Sequence, residues 1–210
     1  MKRVPIMVAI IAALAGCRPA VPPEVLKSYQ GRTLSTCCNI HHEGETFSDA
    51  NYYVGAMIPA GTPAQVQSGV RNGVSVLVGG TRLTLSQDYG REQESFQQYL
   101  DKILVADDPK LRIEHFSRDV QQAIRVGRVE KGMTKEQVLL SLGYPPTHRT
   151  ASTTANDWLY WYNKWVTYRV SFDDKGKVSN VVGHPAPTQD QPIQEAPPPR
   201  PAAPAKKRHK

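Results

Sequence analysis

Cysteine is scarce. The 210-residue chain has three, and two of them, Cys37 and Cys38, are neighbours. A fold held by a disulfide framework is excluded, since such scaffolds need several well-separated pairs. Adjacent alpha carbons lie about 3.8 Å apart across a trans peptide, below the usual disulfide range, so these two are not expected to staple the fold. Long apolar runs are missing too: the run at residues 6–14 falls well short of the roughly 20 residues a helix needs to span a bilayer. So are Gly-x-Ser-x-Gly, His-Glu-x-x-His, a Walker loop and a dinucleotide fingerprint. Asp107-Asp108 precedes a proline and Asp173-Asp174 falls in a turn, where turn chemistry accounts for both. His115, His148 and His184 have no nucleophile or carboxylate partner at a local spacing. The chain is not expected to be an enzyme, and no cofactor or metal is expected.

An excess of charge of one sign is also missing from the body of the chain. The whole sequence has 26 basic and 19 acidic residues, but Lys2 and Arg3 lie in the leader and residues 184–210 hold five basic against two acidic. The part between is nearly balanced and has no stripe of Lys and Arg interleaved with aromatics, so nucleic acid is not an expected partner.

What is present begins with the leader. Lys2 and Arg3, the apolar run, and Leu14-Ala15-Gly16-Cys17 read as a secretory signal peptide over 1–16 that ends in a lipobox. Cys17 is the expected lipidation site. A multi-acyl anchor attaches almost irreversibly at about 0.8 kcal/mol per buried methylene. Arg18 stands where an Asp acts as an inner-membrane retention signal in some bacteria, so the expected location is the outer membrane, facing the periplasm. Residues 17–30, with Val21-Pro22-Pro23, read as an extended spacer.

Residues 31–105 read as a small antiparallel β domain with a C-terminal helix. Runs at 34–43, 51–58, 64–70, 74–78 and 82–86 are rich in β-branched and aromatic residues and separated by turn signals. Asn72-Gly73 favours a type I′ hairpin, and Gly79-Gly80 serves the next reversal. The expected form is an SH3-like barrel or a meander. Cys37-Cys38-Asn39-Ile40-His41-His42 invites a metal reading, but on one strand Cys38, Ile40 and His42 share one face and Cys37, Asn39 and His41 the other. At most two ligands converge, and a closed zinc site needs four. Ile58-Pro59-Ala60-Gly61-Thr62 is read as a turn. Residues 92–104 form an amphipathic helix with Phe96, Leu100, Ile103 and Leu104 on one side, and Ala106-Asp107-Asp108-Pro109 breaks it.

Residues 114–183 read as ααβββ. Ser117 caps a helix with Val120, Ala123 and Ile124 on its face, closed by Gly127. Thr134 and Gln137 form a capping box for a second helix with Val138, Leu139 and Leu142 inward, stopped by Gly143 and Pro145. Strands at 157–162, 165–172 and 177–182 follow. Trp158, Tyr160 and Tyr162 alternate with Leu159 and Trp161, so both faces of the first strand carry aromatic residues. One face meets the helices. The other is a candidate protein-binding surface with Trp161 and Trp165, because interfaces are enriched in Trp and Tyr; packing on the first domain is the competing explanation.

Gly132-Met133-Thr134-Lys135-Glu136-Gln137-Val138, Leu142-Gly143-Tyr144-Pro145-Pro146, Trp158-Leu159-Tyr160 and Val170-Ser171-Phe172-Asp173 ahead of Gly176-Lys177-Val178 resemble the BamE (SmpA/OmlA) family of envelope lipoproteins over about 116–183. The resemblance implies a fold, and a role as an accessory to the machine that assembles outer-membrane β-barrels or in envelope integrity. Residues before 112 do not resemble that family's usual short single domain.

Residues 184–210 are rich in Pro, Ala and Gln and read as a disordered tail. Lys206, Lys207, Arg208 and Lys210 are candidates for binding anionic lipid or cell-wall polymer. The expectation is an α+β, lipid-anchored envelope adaptor with a protein partner. The alternatives are a lipoprotein that binds cell wall, anionic lipid or another periplasmic protein outside the assembly machine, and an envelope enzyme or inhibitor with an interdomain cleft.

Overall fold

The computed structural model describes residues 21–50, 53–71, 73–163 and 165–183. The expected signal peptide, Cys17 and the expected basic tail lie outside them. The described chain opens with a helix, α1 (Pro23–Tyr29), where an extended spacer was expected. Proline is accepted in the first turn of a helix, where its missing N–H is not needed. Val25 and Tyr29, one turn apart, are both buried, and the Tyr29 hydroxyl donates to Asp101 Oδ1 at 2.5 Å. That tertiary anchor comes from 72 residues downstream.

The first unit is a curled, mainly antiparallel sheet. Its centre is the meander β5 (Pro63–Val70), β6 (Gly73–Val78) and β7 (Thr81–Ser86), with Val74, Val76, Val78, Leu83 and Leu85 in the core. The alternating Val and Leu residues of β6 and β7 set the register. β1 (Leu34–Thr36) and β8 (Leu104–Val105) extend the sheet beyond β5, and β3 (Thr46–Ser48) runs parallel to β7 at the other end, giving the order β3-β7-β6-β5-β1-β8. The meander, not a closed SH3-like barrel, is therefore the form adopted.

Residues 34–43 are not one strand. β1 ends at Thr36, the chain bends through residues 37–39, and β2 (Ile40–His42) pairs instead with β4 (Ala56–Ile58). The alternating faces expected for Cys37 to His42 therefore do not apply. Cys37 and Cys38 are joined to each other in a disulfide at the bend, and both are buried. The bond links neighbours and ties no distant segments. The helix expected over 92–104 is α2 (Phe96–Ile103); it starts at Ser95, which forms a reciprocal capping box with Gln98. Leu104 has already entered β8.

After a short α3 (Lys110–Ile113), the second unit follows the expected order. α4 (Arg118–Arg125) and α5 (Lys135–Leu142) pack on a sheet of β9 (Asp157–Trp161), β10 (Thr167–Phe172) and β11 (Val178–Val182), ordered β11-β10-β9 and fully antiparallel. Ser117 holds the N-cap position of α4, but its side chain makes no capping bond. Thr134 and Gln137 form the expected capping box on α5. The residues buried on α5 are Val138, Leu140, Ser141 and Leu142, with Leu140 in the place expected for Leu139. Trp158, Tyr160, Tyr168, Val170 and Phe172 fill the space beneath the helices, with Tyr160 and Tyr168 stacked at 5.3 Å. The turn before α5 is tied to the third strand through Gly132 N–H to Val178 O and Val178 N–H to Met133 O.

Candidate interaction surface

The two units meet around Asn39, a polar side chain that is 1 % exposed. Helices leave their last carbonyls without intrahelical partners. Asn39 supplies partners for both helices of the second unit. Its backbone N–H donates to Leu140 O at 3.0 Å, and its side-chain amide donates to Ser141 O at 3.1 Å and to Ile124 O at 2.6 Å. Its Oδ1 accepts from Ala60 N–H at 2.9 Å. One residue of the β unit thus caps the C-terminal ends of α4 and α5, where the helix dipoles concentrate negative potential. Beside it lies a water-sized space of about 20 Å³ lined by Asn39, Asp49, Tyr99, Lys102 and Tyr144 among others.

A second set of contacts closes the same junction. The His41 ring lies 4.9 Å from Tyr53, and Tyr53 stacks on Tyr162 at 5.6 Å. Tyr53 N–H also donates to Tyr162 O. Gly127, at φ +64°, comes so close to β2 and β4 that a Cβ there would stand 3.1 Å from Met57 Sδ and 3.7 Å from His41 Nε2. Both His41 ring nitrogens are buried without a hydrogen-bond partner among the described residues. Burial, and then the charge of His42, pull the His41 pKa down to about 4. On another side of the junction, Glu94 pairs with Lys102 at 2.5 Å and accepts from the Thr147 hydroxyl.

The outward face of the three-stranded sheet is built from residues whose neighbours along each strand fill the core. Register places Leu159 opposite Arg169 and Arg169 opposite Val182, and places Trp161 opposite Thr167. Val182 is 56 % exposed and Trp165, in the β9–β10 turn, is 80 % exposed. Trp161 is only half-buried because other groups lean on it. Its indole N–H donates to His148 Nε2 at 3.4 Å, and the Arg149 guanidinium sits 5.0 Å over its ring. His148 in turn packs 5.4 Å from Tyr89, which belongs to the first unit and is 54 % exposed. Tyr89, His148 and Trp161 therefore form a continuous row that crosses the junction. Burial lowers the His148 pKa, the carboxylate of Asp49 opposes that shift, and Arg149 reinforces it.

Of the residues expected from sequence to be functional, Trp161 and Trp165 lie at the same end of this face. Cys17, Lys206, Lys207, Arg208 and Lys210 lie outside the described residues. Asn39, Tyr89, His148 and Arg149 were missed as members of a site, and no local spacing points to them: Tyr89 and His148 are 59 residues apart in the chain. Among the described residues there is no group of three or more His, Cys, Asp or Glu that could hold a metal ion, and no helix long and apolar enough to cross a membrane.

No curated protein and no solved structure matches this chain. One family model does match, and it covers less than a third of the sequence, from the middle of α4 to the end of β11, leaving the β unit outside it. Over residues 121–182 the chain is similar to the family described as the outer membrane protein assembly factor BamE domain.

Proposed function

We propose that this chain is an exported envelope adaptor, anchored by lipid at Cys17, that uses the outer face of its BamE-like unit to hold a protein partner at the outer membrane. The observation that carries this reading is the family match over residues 121–182, taken with a sheet face that presents Trp161 and Trp165 away from the core. Solvent-facing Trp and Tyr beside an Arg are the residue types that dominate binding energy at protein interfaces. The proposed role is binding. The leader and lipobox support the anchor, and the terminal Lys206, Lys207, Arg208 and Lys210 would add attraction to an anionic surface of about 1 kcal/mol per residue.

The test is crosslinking in intact cells, then solubilisation and capture through an internal tag, for the native chain and for Trp161→Ala with Trp165→Ala. The reading expects the barrel-assembly complex to be captured by the native chain and lost with the two substitutions, while the chain stays folded with a loss of about 1–3 kcal/mol from the His148 and Arg149 contacts of Trp161. Capture of cell-wall fragments or of an unrelated membrane complex would leave the fold as the only inheritance from the family. Acyl labelling that survives Cys17→Ala would remove the anchor from the reading.

A further inference from the structure

The aromatic row has a spacing and a setting that suit one kind of ligand. Three rings stand side by side, with 5.4 Å between Tyr89 and His148 and 6.4 Å between His148 and Trp161. Arg149 flanks the Trp161 end. At the other end Asp88, next to Tyr89 in the chain, is paired with Arg91 at 3.6 Å and accepts from the Ser86 hydroxyl. A polyproline helix repeats about every 9 Å, exposes its carbonyls and gives up little entropy on binding. Such segments dock in grooves lined by aromatic rings and flanked by polar groups.

The chain carries its own segment of that kind. Eight of its 17 prolines lie in residues 184–210, and the densest run is Pro197-Pro198-Pro199-Arg200-Pro201. This part of the chain follows directly from the third strand. Val182 is paired across β10 with Leu159, two residues before Trp161, so the chain leaves the sheet about two strand spacings, or roughly 10 Å, from the row. Pro197 lies fourteen residues beyond Gly183. At about 3.3 Å each they span at most roughly 45 Å, several times the distance to be covered. A tethered segment also acts at an effective concentration in the millimolar range, which favours it over a free ligand of equal affinity.

We propose that the Tyr89–His148–Trp161 row is the docking surface for the proline-rich segment 197–201 of the same chain, so that the tail covers the face a partner would use. This rests on the reading of that face as the partner surface and adds its regulation. Partner binding and tail docking then compete for Trp161.

The experiment is NMR of the full chain in detergent micelles with ¹⁵N-labelled indoles, which gives a separate signal for each of Trp158, Trp161 and Trp165. Trp158 is the internal control, since it is fully buried in the core and its N–H donates to Ala155 O. Replacing Pro197, Pro198, Pro199 and Pro201 together by Ser should move the Trp161 signal and leave that of Trp158 in place. A synthetic peptide of residues 194–204 added to the substituted chain should move the Trp161 signal back. An unmoved Trp161 signal in the substituted chain would overturn the proposal. A shift that disappears on dilution would overturn it too, by assigning the contact to a second copy. The partner assay fails separately: if no complex is captured with or without the tail prolines, the adaptor reading falls while the indole signals still decide whether the tail docks.

Discussion

Replacing Asn39 tests the account of how the two units are joined. In Asn39→Ala, the backbone N–H keeps its bond to Leu140 O, but Ser141 O and Ala60 N–H lose the partners they have in the native chain. Ile124 O also loses the amide but retains the N–H of Gly127 at 3.0 Å. Each buried polar group left unpaired costs about 1–3 kcal/mol. With two such groups, the expected loss is roughly 2–6 kcal/mol out of the 5–15 kcal/mol that domains usually possess.

Asn39→Asp separates hydrogen bonding from shape. It preserves volume and the acceptor for Ala60 N–H, but turns a donor at two helix C-termini into an acceptor carrying negative charge. A partly buried charge of the wrong sign at a helix end costs up to about 2 kcal/mol per helix, so this variant should be less stable than Asn39→Ala at pH 7. The introduced carboxylate would titrate above its unfolded value, so the deficit relative to native should shrink as the pH falls from 7 towards 4. Urea denaturation followed by tryptophan fluorescence and far-UV dichroism gives these differences directly, and coincidence of the two probes checks that a single transition is being measured. If Asn39→Ala loses less than about 0.5 kcal/mol, or Asn39→Asp matches native at pH 7, the capping account of the junction is wrong.

Two further outcomes follow from the same geometry. His41 is held neutral when folded, with a pKa of about 4 against 6.5 in a free chain, by burial and by the charge of His42, while the Tyr53 ring packs against it. Above pH 6.5 this costs nothing; below it the unfolded chain binds the proton first, so stability falls by about 3 kcal/mol between pH 6.5 and 4 and then levels off. Denaturation midpoints across that range should show the slope in the native chain and lose it in His41→Phe, and an equal slope in both would assign the effect elsewhere. Thr134→Ala removes one half of the α5 capping box and should cost about 1 kcal/mol in urea; no change would mean that β11 and the turn at 132–134 hold the helix start unaided.

The second unit was readable because its signals are local. A Thr and a Gln three residues apart announce the start of α5, alternation of aromatic and aliphatic residues announces β9, and a short polar turn joins β10 to β11. The junction was not readable, because it is made by residues with no common spacing. Asn39 binds Ile124 and Ser141 from 85 and 102 residues away, and a lone Asn beside Ile and His carries no mark of that. α1 was misjudged for a similar reason: Pro22-Pro23 favours extended backbone locally, but the buried Tyr29 and its bond to Asp101 secure a helix. The buried set on α5 also shifts from the expected stripe, since the β unit closes over its last turn through Asn39 and brings Leu140 and Ser141 inside.

The way the units are joined decides which faces of the BamE-like unit remain for a partner. Its helix C-termini are taken by Asn39, the end of its first strand by Tyr53, and the glycine after α4 by His41 and Met57. The inner sheet face is filled by Trp158, Tyr160 and Phe172 beneath the helices. The outward sides of α4 and α5, with Arg118, Gln122, Arg125 and Glu136, stay accessible, as does the outer sheet face with Arg169 and Val182, and the β unit reaches the margin of that sheet face through Tyr89. A partner that docked on the outer sheet face beside Trp161, as proposed above, would also meet Tyr89 of the β unit, which the family match leaves outside. Its specificity would depend on Tyr89 and His148 as much as on Trp161, a consequence of placing the two units side by side that neither has alone.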